Sequence, residues 1–400
     1  MRSSDHILLI FIENIMASKR TNTQESFVET HSAMRRKVFS TLLMGAGSLV
    51  LAACGGGGDS ASQSADAVAN KQKGGKKTGG ASAASGASAP QPASTTGTNG
   101  VLLDTSFGVK GDGTTDDTAA LQAAINGSVG QILMITGNSR INGTGLTLQT
   151  NSHLRFAQGA SLKLLPYNLQ TYQMLRVWDV NNVIIESPYL DGSKELNSST
   201  TGEWGMGISI AGATNVSISA PTTIDCWGDG IYIDNSTTGN NAYSSNITVD
   251  NHTADGCRRQ GMTVISVSGL AVNNPLWQNI SGTAPSSGLD IEPDNSLSVL
   301  ENITIVNPTT KNCDGAGIQI DLANFPGTAA KQVNISISGH TNVNCDGAFG
   351  VANLQPNGYP VTGAITSANP VWDMPLNLSY TLTNWAKSGP TVSVTNPTIV

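Results

Sequence analysis

Residues 302–320 read NITIVNPTTKNCDGAGIQI, and two short figures inside that stretch recur along the chain. The first is Asn-apolar-Thr/Ser-apolar, closing on Pro or His. It returns as NVIIESP (182–188), NVSISAP (215–221), NITVDNH (246–252), GLAVNNP (269–275), NITIVNP (302–308) and NISISGH (334–340). Weaker copies are AITSANP (364–370) and TVSVTNP (391–397), and the intervals run 33, 31, 23, 33, 32, 30 and 27 residues. The second figure, Gly-apolar-x-apolar, interleaves as GISI (207–210), GIYI (230–233), GMTV (261–264), GLDI (288–291) and GIQI (317–320). Each repeat therefore supplies at least two period-2 strands separated by Gly/Asn/Pro turns. Short strands with no helix between them suit an all-β solenoid, a parallel β-helix in which each coil buries its inward residues on the next, about 4.8 Å away.

That architecture predicts ladders. Ile208, Ile231, Met262, Leu289 and Ile318 stack as one interior row; Ile210, Ile233, Val264, Ile291 and Ile320 make the next. Cys226, Cys257 and Cys313 each lie four residues before the glycine of the second figure, and Cys345 holds a similar place. A cysteine at a matching position on successive coils reads as a ladder of small buried thiols rather than disulfides or a metal site. A solenoid also needs its open end covered. Residues 115–126, TDDTAALQAAIN, read as a helix capped by Thr115 or Asp116, with Leu121 and Ile125 on one side, placed over the amino-terminal opening.

Composition agrees. Only 12% of the 400 residues are charged, with 44 glycines, where about 25% charged is usual. Amphipathic helices, which need a charged face, are disfavoured. A mean hydropathy of −0.09 excludes a multi-span membrane protein. The net charge of −7 conceals a division: residues 1–99 carry ten Lys/Arg against six Asp/Glu, residues 100–400 eleven against twenty-two. A body near −11 argues against a nucleic-acid partner. Oligomeric state is open.

The amino-terminal hundred residues read as a separate module. Arg35, Arg36 and Lys37 precede a short apolar run, Val38 to Leu51, that is too short to span a bilayer and fits a secretory signal beginning at Met34. It closes on Leu51-Ala52-Ala53-Cys54, which resembles a bacterial lipobox. That resemblance implies lipidation of Cys54, a membrane anchor, and, with Gly55 following, an outer-membrane lipoprotein facing periplasm or cell surface. Residues 1–33 are expected to be extraneous, 34–54 the signal, 55–100 a flexible Gly/Ala/Ser/Lys linker, and 101–400 the β-helix domain.

The segment FGVKGDGTTDDTAALQAAIN (107–126) resembles the entry segment of the pectate-lyase-like superfamily, which also covers polygalacturonase-type hydrolases. The resemblance implies a single-stranded right-handed parallel β-helix whose outer strand face and loops bind polysaccharide. It leaves the reaction open, since hydrolases, lyases, epimerases and non-catalytic adhesins share the scaffold. The polygalacturonase motifs are not reproduced: the chain has no Asn-Thr-Asp, no Asp-Asp on a strand, no Gly-His-Gly and no Arg-Ile-Lys, and epimerase-type Asp-Pro-His-Glu is absent as well.

Chemistry is sought on the outward face of the second figure. Its middle position reads Ser209, Tyr232, Thr263, Asp290 and Gln319, and the next outward position Ala211, Asp234, Ile265, Glu292 and Asp321. Trp204, Trp227, Arg258, Arg259 and Asp229 lie just before these strands. Rings beside carboxylates suit a sugar groove, with Trp204, Trp227, Tyr232, Arg258, Arg259 and Gln319 as substrate contacts. Asp290 and Glu292 are two residues apart, roughly 6.7 Å, and Glu292 and Asp321 one coil apart, about 4.8 Å. Both fit the carboxylate spacings of glycosidases. In the hydrolase reading, which needs no cofactor, Asp290 and Glu292 are acid and base, tuned by Asp321 or Asp234. In the lyase reading Arg258 or Arg259 neutralises a uronate, or calcium does so on Asp234, Asp290 and Glu292. The third reading is a non-catalytic glycan-binding envelope lipoprotein. Plainer roles stand beside these. Trp204 and Trp227 pack under a loop, Arg258-Arg259 is a solvated turn pair, Asp229, Asp255, Asp314 and Asp346 close turns, and His153, His252 and His340 are structural.

Overall fold

The computed structural model describes residues 100–400 apart from 241 and 356, together with the backbone of the short strand Thr96–Gly97. The expected signal, Cys54 and nearly all of the expected linker lie outside the described residues. Three sheets stack along the β-helix, of twelve, eleven and nine strands, and the coils between the first and the last visit them in the same order. One coil is Thr214–Ser219, Thr222–Ile224 and Asp229–Asp234. Thr96–Gly97 pairs antiparallel with Val101–Leu103; the pairings that stack one coil on the next are parallel.

The expected rows form in register. Ile208 pairs with Ile231, Ile231 with Met262, Met262 with Leu289 and Leu289 with Ile318. The companion row Ile210, Ile233, Val264, Ile291 and Ile320 is in step, and all ten side chains are 0% exposed. Row identity is what fixes register, because a slip of one residue would turn the apolar set outward.

The corners explain the asparagines. Asn182, Asn215, Asn246 and Asn302 open the first figure at φ of 58°, 58°, 54° and 53°, a left-handed conformation that Asn tolerates better than most side chains. Stacked amides then bond coil to coil: Asn215 Nδ2 donates to Asn182 Oδ1 at 3.1 Å, and Asn246 Nδ2 to Asn215 Oδ1 at 2.6 Å. Glycine in the second figure has a different cause. A Cβ on Gly207 would stand 2.8 Å from Thr223 Cγ2, and one on Gly261 2.6 Å from Trp277 Cδ1. The third sheet approaches the second too closely there for any side chain.

The capping helix starts later than expected, at Thr118–Gly127. Residues Asp112–Asp116 instead pair as a strand with Asn138–Ile141. Asp116 accepts from the Thr118 N–H and hydroxyl, while Asp117 turns back to Lys110 and Gly111 N–H groups at 2.8 and 2.9 Å. Leu121 and Ile125 are buried as predicted. Cys226, Cys257, Cys313 and Cys345 are buried free thiols. His252 and His340 are core residues in matching settings. Each ring accepts from a Trp Nε1 at 3.2 Å (Trp277, Trp372) and meets a Thr hydroxyl (Thr223, Thr310) at 2.9 and 2.8 Å. Burial lowers both imidazoles to about 3.

Candidate functional site

The outward columns of the third sheet are assembled as the spacing predicted. Ser209, Tyr232, Thr263, Asp290 and Gln319 are consecutive partners in register. Asp234 and Asp321 end their strands, and Glu292 follows Leu289–Ile291 directly, its N–H donating to Val264 O.

Exposure departs from expectation. Tyr232 is 4% exposed and Thr263 and Asp290 are sealed. The segment 201–203 lies against Trp227 and Arg258: the Trp227 Nε1 donates to Thr201 O at 3.3 Å and Arg258 Nη1 to Gly202 O at 2.5 Å. Trp204 and Trp227, expected as sugar platforms, are each 9% exposed. Trp227 lies under that segment, with the Arg258 guanidinium 4.2 Å above its ring. Arg258 is thereby committed to protein, and Tyr232 is covered rather than offered to a ligand.

Arg259, also expected to contact substrate, is 2% exposed and lies at the centre of an acidic cluster. Its Nη1 is 3.0 Å from Asp229 Oδ2, its Nε 3.6 Å from Glu203 Oε2, and its Nη2 3.9 Å from Asp290 Oδ2 and 3.7 Å from Glu292 Oε2. Thr263 Oγ1 donates to Asp229 Oδ2 at 3.0 Å, and Gln260 Nε2 to Asp290 Oδ2 at 2.9 Å. Gln260 is itself fixed by accepting the Ser287 N–H at 2.9 Å. Asp290, expected to be one of the reacting pair, is thus a buried member of this network.

The face opens at Glu292, whose side chain keeps 17% of its surface, and at half-buried Asp234 and Gln319. Tyr232 donates to Asp234 Oδ2 at 3.5 Å and the Asn235 N–H to Oδ1 at 2.6 Å. Asp321 accepts from the Ala323 N–H at 2.9 Å and from Asn353 Nδ2 at 2.8 Å. Burial pushes the Asp321 carboxyl above its ordinary value, the Glu292 charge adds to the rise, and those two hydrogen bonds oppose it. A carboxyl shifted toward its protonated form beside a more exposed one suits general acid and base chemistry.

The residues that sequence reasoning passed over are Glu203, Gln260 and the ion-pairing role of Asp229. Asp229 and Gln260 are register partners one step ahead of the glycine in successive repeats, off the alternating outward columns, which back by one position land on the glycines. Glu203 precedes its strand and carries no repeat signal. As for metal, the carboxylates that converge among the described residues are Asp191, Glu195 and Asp225, with oxygens within 4.8 Å of one another. Lys163 (2.8 Å from Asp191) and Lys194 (3.3 Å from Asp225) already supply counter-charge there.

No protein-family model matches the chain. A curated relative, the uncharacterised protein YclG of Bacillus subtilis (strain 168), is 25% identical over 220 residues, 48% of this chain and 38% of that protein. Among solved structures, the bacteriophage phi29 gene product 12 superposes with a TM-score of 0.56 at 21% identity, covering 69% of this chain and 42% of that one. The chain therefore spans well under two thirds of either protein. An exopolygalacturonase from Thermotoga maritima gives a TM-score of 0.54 at 13% identity over 77% and 82% of the two chains. The endo-xylogalacturonan hydrolase of Aspergillus tubingensis gives 0.53 at 15% over 75% and 92%. An iota-carrageenase bound to iota-carrageenan fragments gives 0.52 at 15% over 74% and 86%. The chain has the right-handed parallel β-helix fold of these polygalacturonase- and carrageenase-type proteins.

Proposed function

We propose that the β-helix is a carbohydrate-active enzyme that hydrolyses a polysaccharide at the open end of the acidic face. The observation that carries this reading is Asp321, a carboxyl 5% exposed and shifted toward its protonated form, one coil from the more exposed carboxylate Glu292. Asp321 donates its proton to the glycosidic oxygen as that bond breaks. Glu292, one coil or about 4.8 Å away, bonds to the anomeric carbon as the glycosidic bond breaks, and water then cleaves the glycosyl ester while returning a proton to Asp321. Asp290 stands behind Glu292 and touches no substrate. Three neighbouring folds bear the names of polysaccharide hydrolases or of a carrageenase, which supports the substrate class and leaves the sugar to experiment.

The cations named for a lyase are otherwise engaged: Arg259 is enclosed by carboxylates and Arg258 stacks on Trp227. Hydrolysis is accordingly preferred, and no metal or cofactor is invoked. Incubation with a panel of acidic and neutral polysaccharides should release reducing ends without the absorbance of an unsaturated product. Unsaturated product, or calcium dependence, would favour the lyase; glycan binding without turnover would favour the adhesin reading.

The outer-membrane anchor belongs to the same proposal. Expression of the full chain in a bacterium should give palmitate labelling that Cys54→Ser abolishes. Labelling that survives the change would overturn it.

A further inference from the structure

We propose that the sugars bound along the open edge carry no carboxylate or sulfate group, so that the polymer this site takes is an uncharged polysaccharide. The proposal rests on reading that edge as the polysaccharide site, and adds the chemistry of the chain it accepts. One outward column of the third sheet runs Asp234, Ile265, Glu292 and Asp321 on successive coils, each about 4.8 Å from the next. Three of its four positions are carboxyl side chains. A polyuronate or a sulfated galactan lying along that column would set its own anions against it. Binding such a chain takes cations beside the acids, above all the bidentate guanidinium that a carboxylate favours.

The cations of the β-helix are placed elsewhere or are already engaged. Residues 101–400 hold eleven Lys and Arg, and three of them belong to the coils of the edge. Arg259 is 2% exposed and pairs with buried Asp229, out of reach of a polymer. Arg258 stacks on Trp227 and donates to Gly202 O. Lys331 lies 3.9 Å from the Phe325 ring and donates to Ser296 O and Ser298 O at 2.7 and 2.6 Å. Arg176, two coils before Tyr232 in the neighbouring column, donates to Thr147 Oγ1 at 2.9 Å and Thr144 O at 2.6 Å. Lys387 follows the last strand of the sheet, Tyr380–Thr383, two coils beyond Asp321. The other six lie on or beside strands of the first and second sheets. What the edge does offer suits hydroxyl groups: carboxylate oxygens accept from them, and the half-buried Gln319 amide both donates and accepts.

The test is binding of soluble polysaccharides to the immobilised full chain, read by biolayer interferometry, which needs no turnover. Lys71, Lys73, Lys76 and Lys77 are changed to Gln, so that any acidic polymer held is held by the β-helix. A neutral polymer from a set of β-glucan, galactomannan, xyloglucan and starch should bind. Polygalacturonate and iota-carrageenan should bind more weakly by about tenfold or more, the effect of one anion brought within about 5 Å of a carboxylate. Raising the salt from about 0.01 to 0.15 M shortens the Debye length from roughly 30 to 8 Å. That change should narrow the gap while leaving the neutral polymer's affinity unmoved. Asp234→Asn combined with Glu292→Gln, checked for folding by far-UV circular dichroism, should narrow it as well. Equal or tighter binding of an acidic polymer, with chelator or with calcium added, overturns the proposal. So does a gap that both amide changes leave intact, or binding of none of the polymers. A neutral polymer that is bound but never cleaved defeats the hydrolase reading and leaves this one standing.

Discussion

Asp321 and His252 show how burial shifts an acid and a base in opposite directions. Burial and Glu292 raise the Asp321 carboxyl, so ionising it costs the fold stability rather than supporting it. Asp321→Asn should therefore leave Tm at pH 7 unchanged or raised while activity falls by about 10²–10⁴, the usual contribution of a positioned acid. Thermal melts and reducing-end assays on one preparation check both halves. His252 and His340 are bases with folded values near 3, against 6.5 when unfolded. The unfolded chain binds the extra protons, so stability is complete above about pH 6.5 and is lost as pH falls toward 3, at about 1.4 kcal/mol per unit for each ring. His252→Gln should roughly halve that slope between pH 6 and pH 4, measured by denaturant midpoints. An unchanged slope would assign the acid sensitivity to other groups.

Strands, corners and sheet spacing are repeated, and their failure modes follow from the repeat. Ile231 lies in the middle of a row with partners above and below, so Ile231→Ala should cost about 2–5 kcal/mol through lost burial and a residual cavity. Gly261→Ala is the smaller change chemically, yet its methyl would press on the Trp277 ring at 2.6 Å. It should destabilise by roughly 1–3 kcal/mol, seen as a lower denaturant midpoint at constant m-value. The inward ladders were legible because apolar identity alternates at a period of two and returns at each coil. The start of the capping helix was misplaced because Asp112–Asp116 has an alternative partner strand that no local propensity reveals. The outward columns were legible as positions, since register follows from the inward rows. Their exposure was not, because the segment that lies against Trp227 and Arg258 belongs to no repeat.

Across the whole β-helix, function depends on where a continuous outer face is covered and where it is open. The face is closed over Tyr232, Thr263 and Asp290 and opens at Glu292, Gln319 and Asp234. The acidic cluster that sequence placed on one outer surface is thus two things: a buried network around Arg259 and a wet edge bearing Glu292, with Asp321 beside it. The central claim is that the edge, and Glu292 above all, reacts. Its most direct test is the rate of reducing-end release by Glu292→Gln on the polysaccharide that the wild-type chain cleaves. The account predicts a loss of about 10² or more with the variant folded and substrate binding retained. Wild-type turnover by folded Glu292→Gln would contradict it.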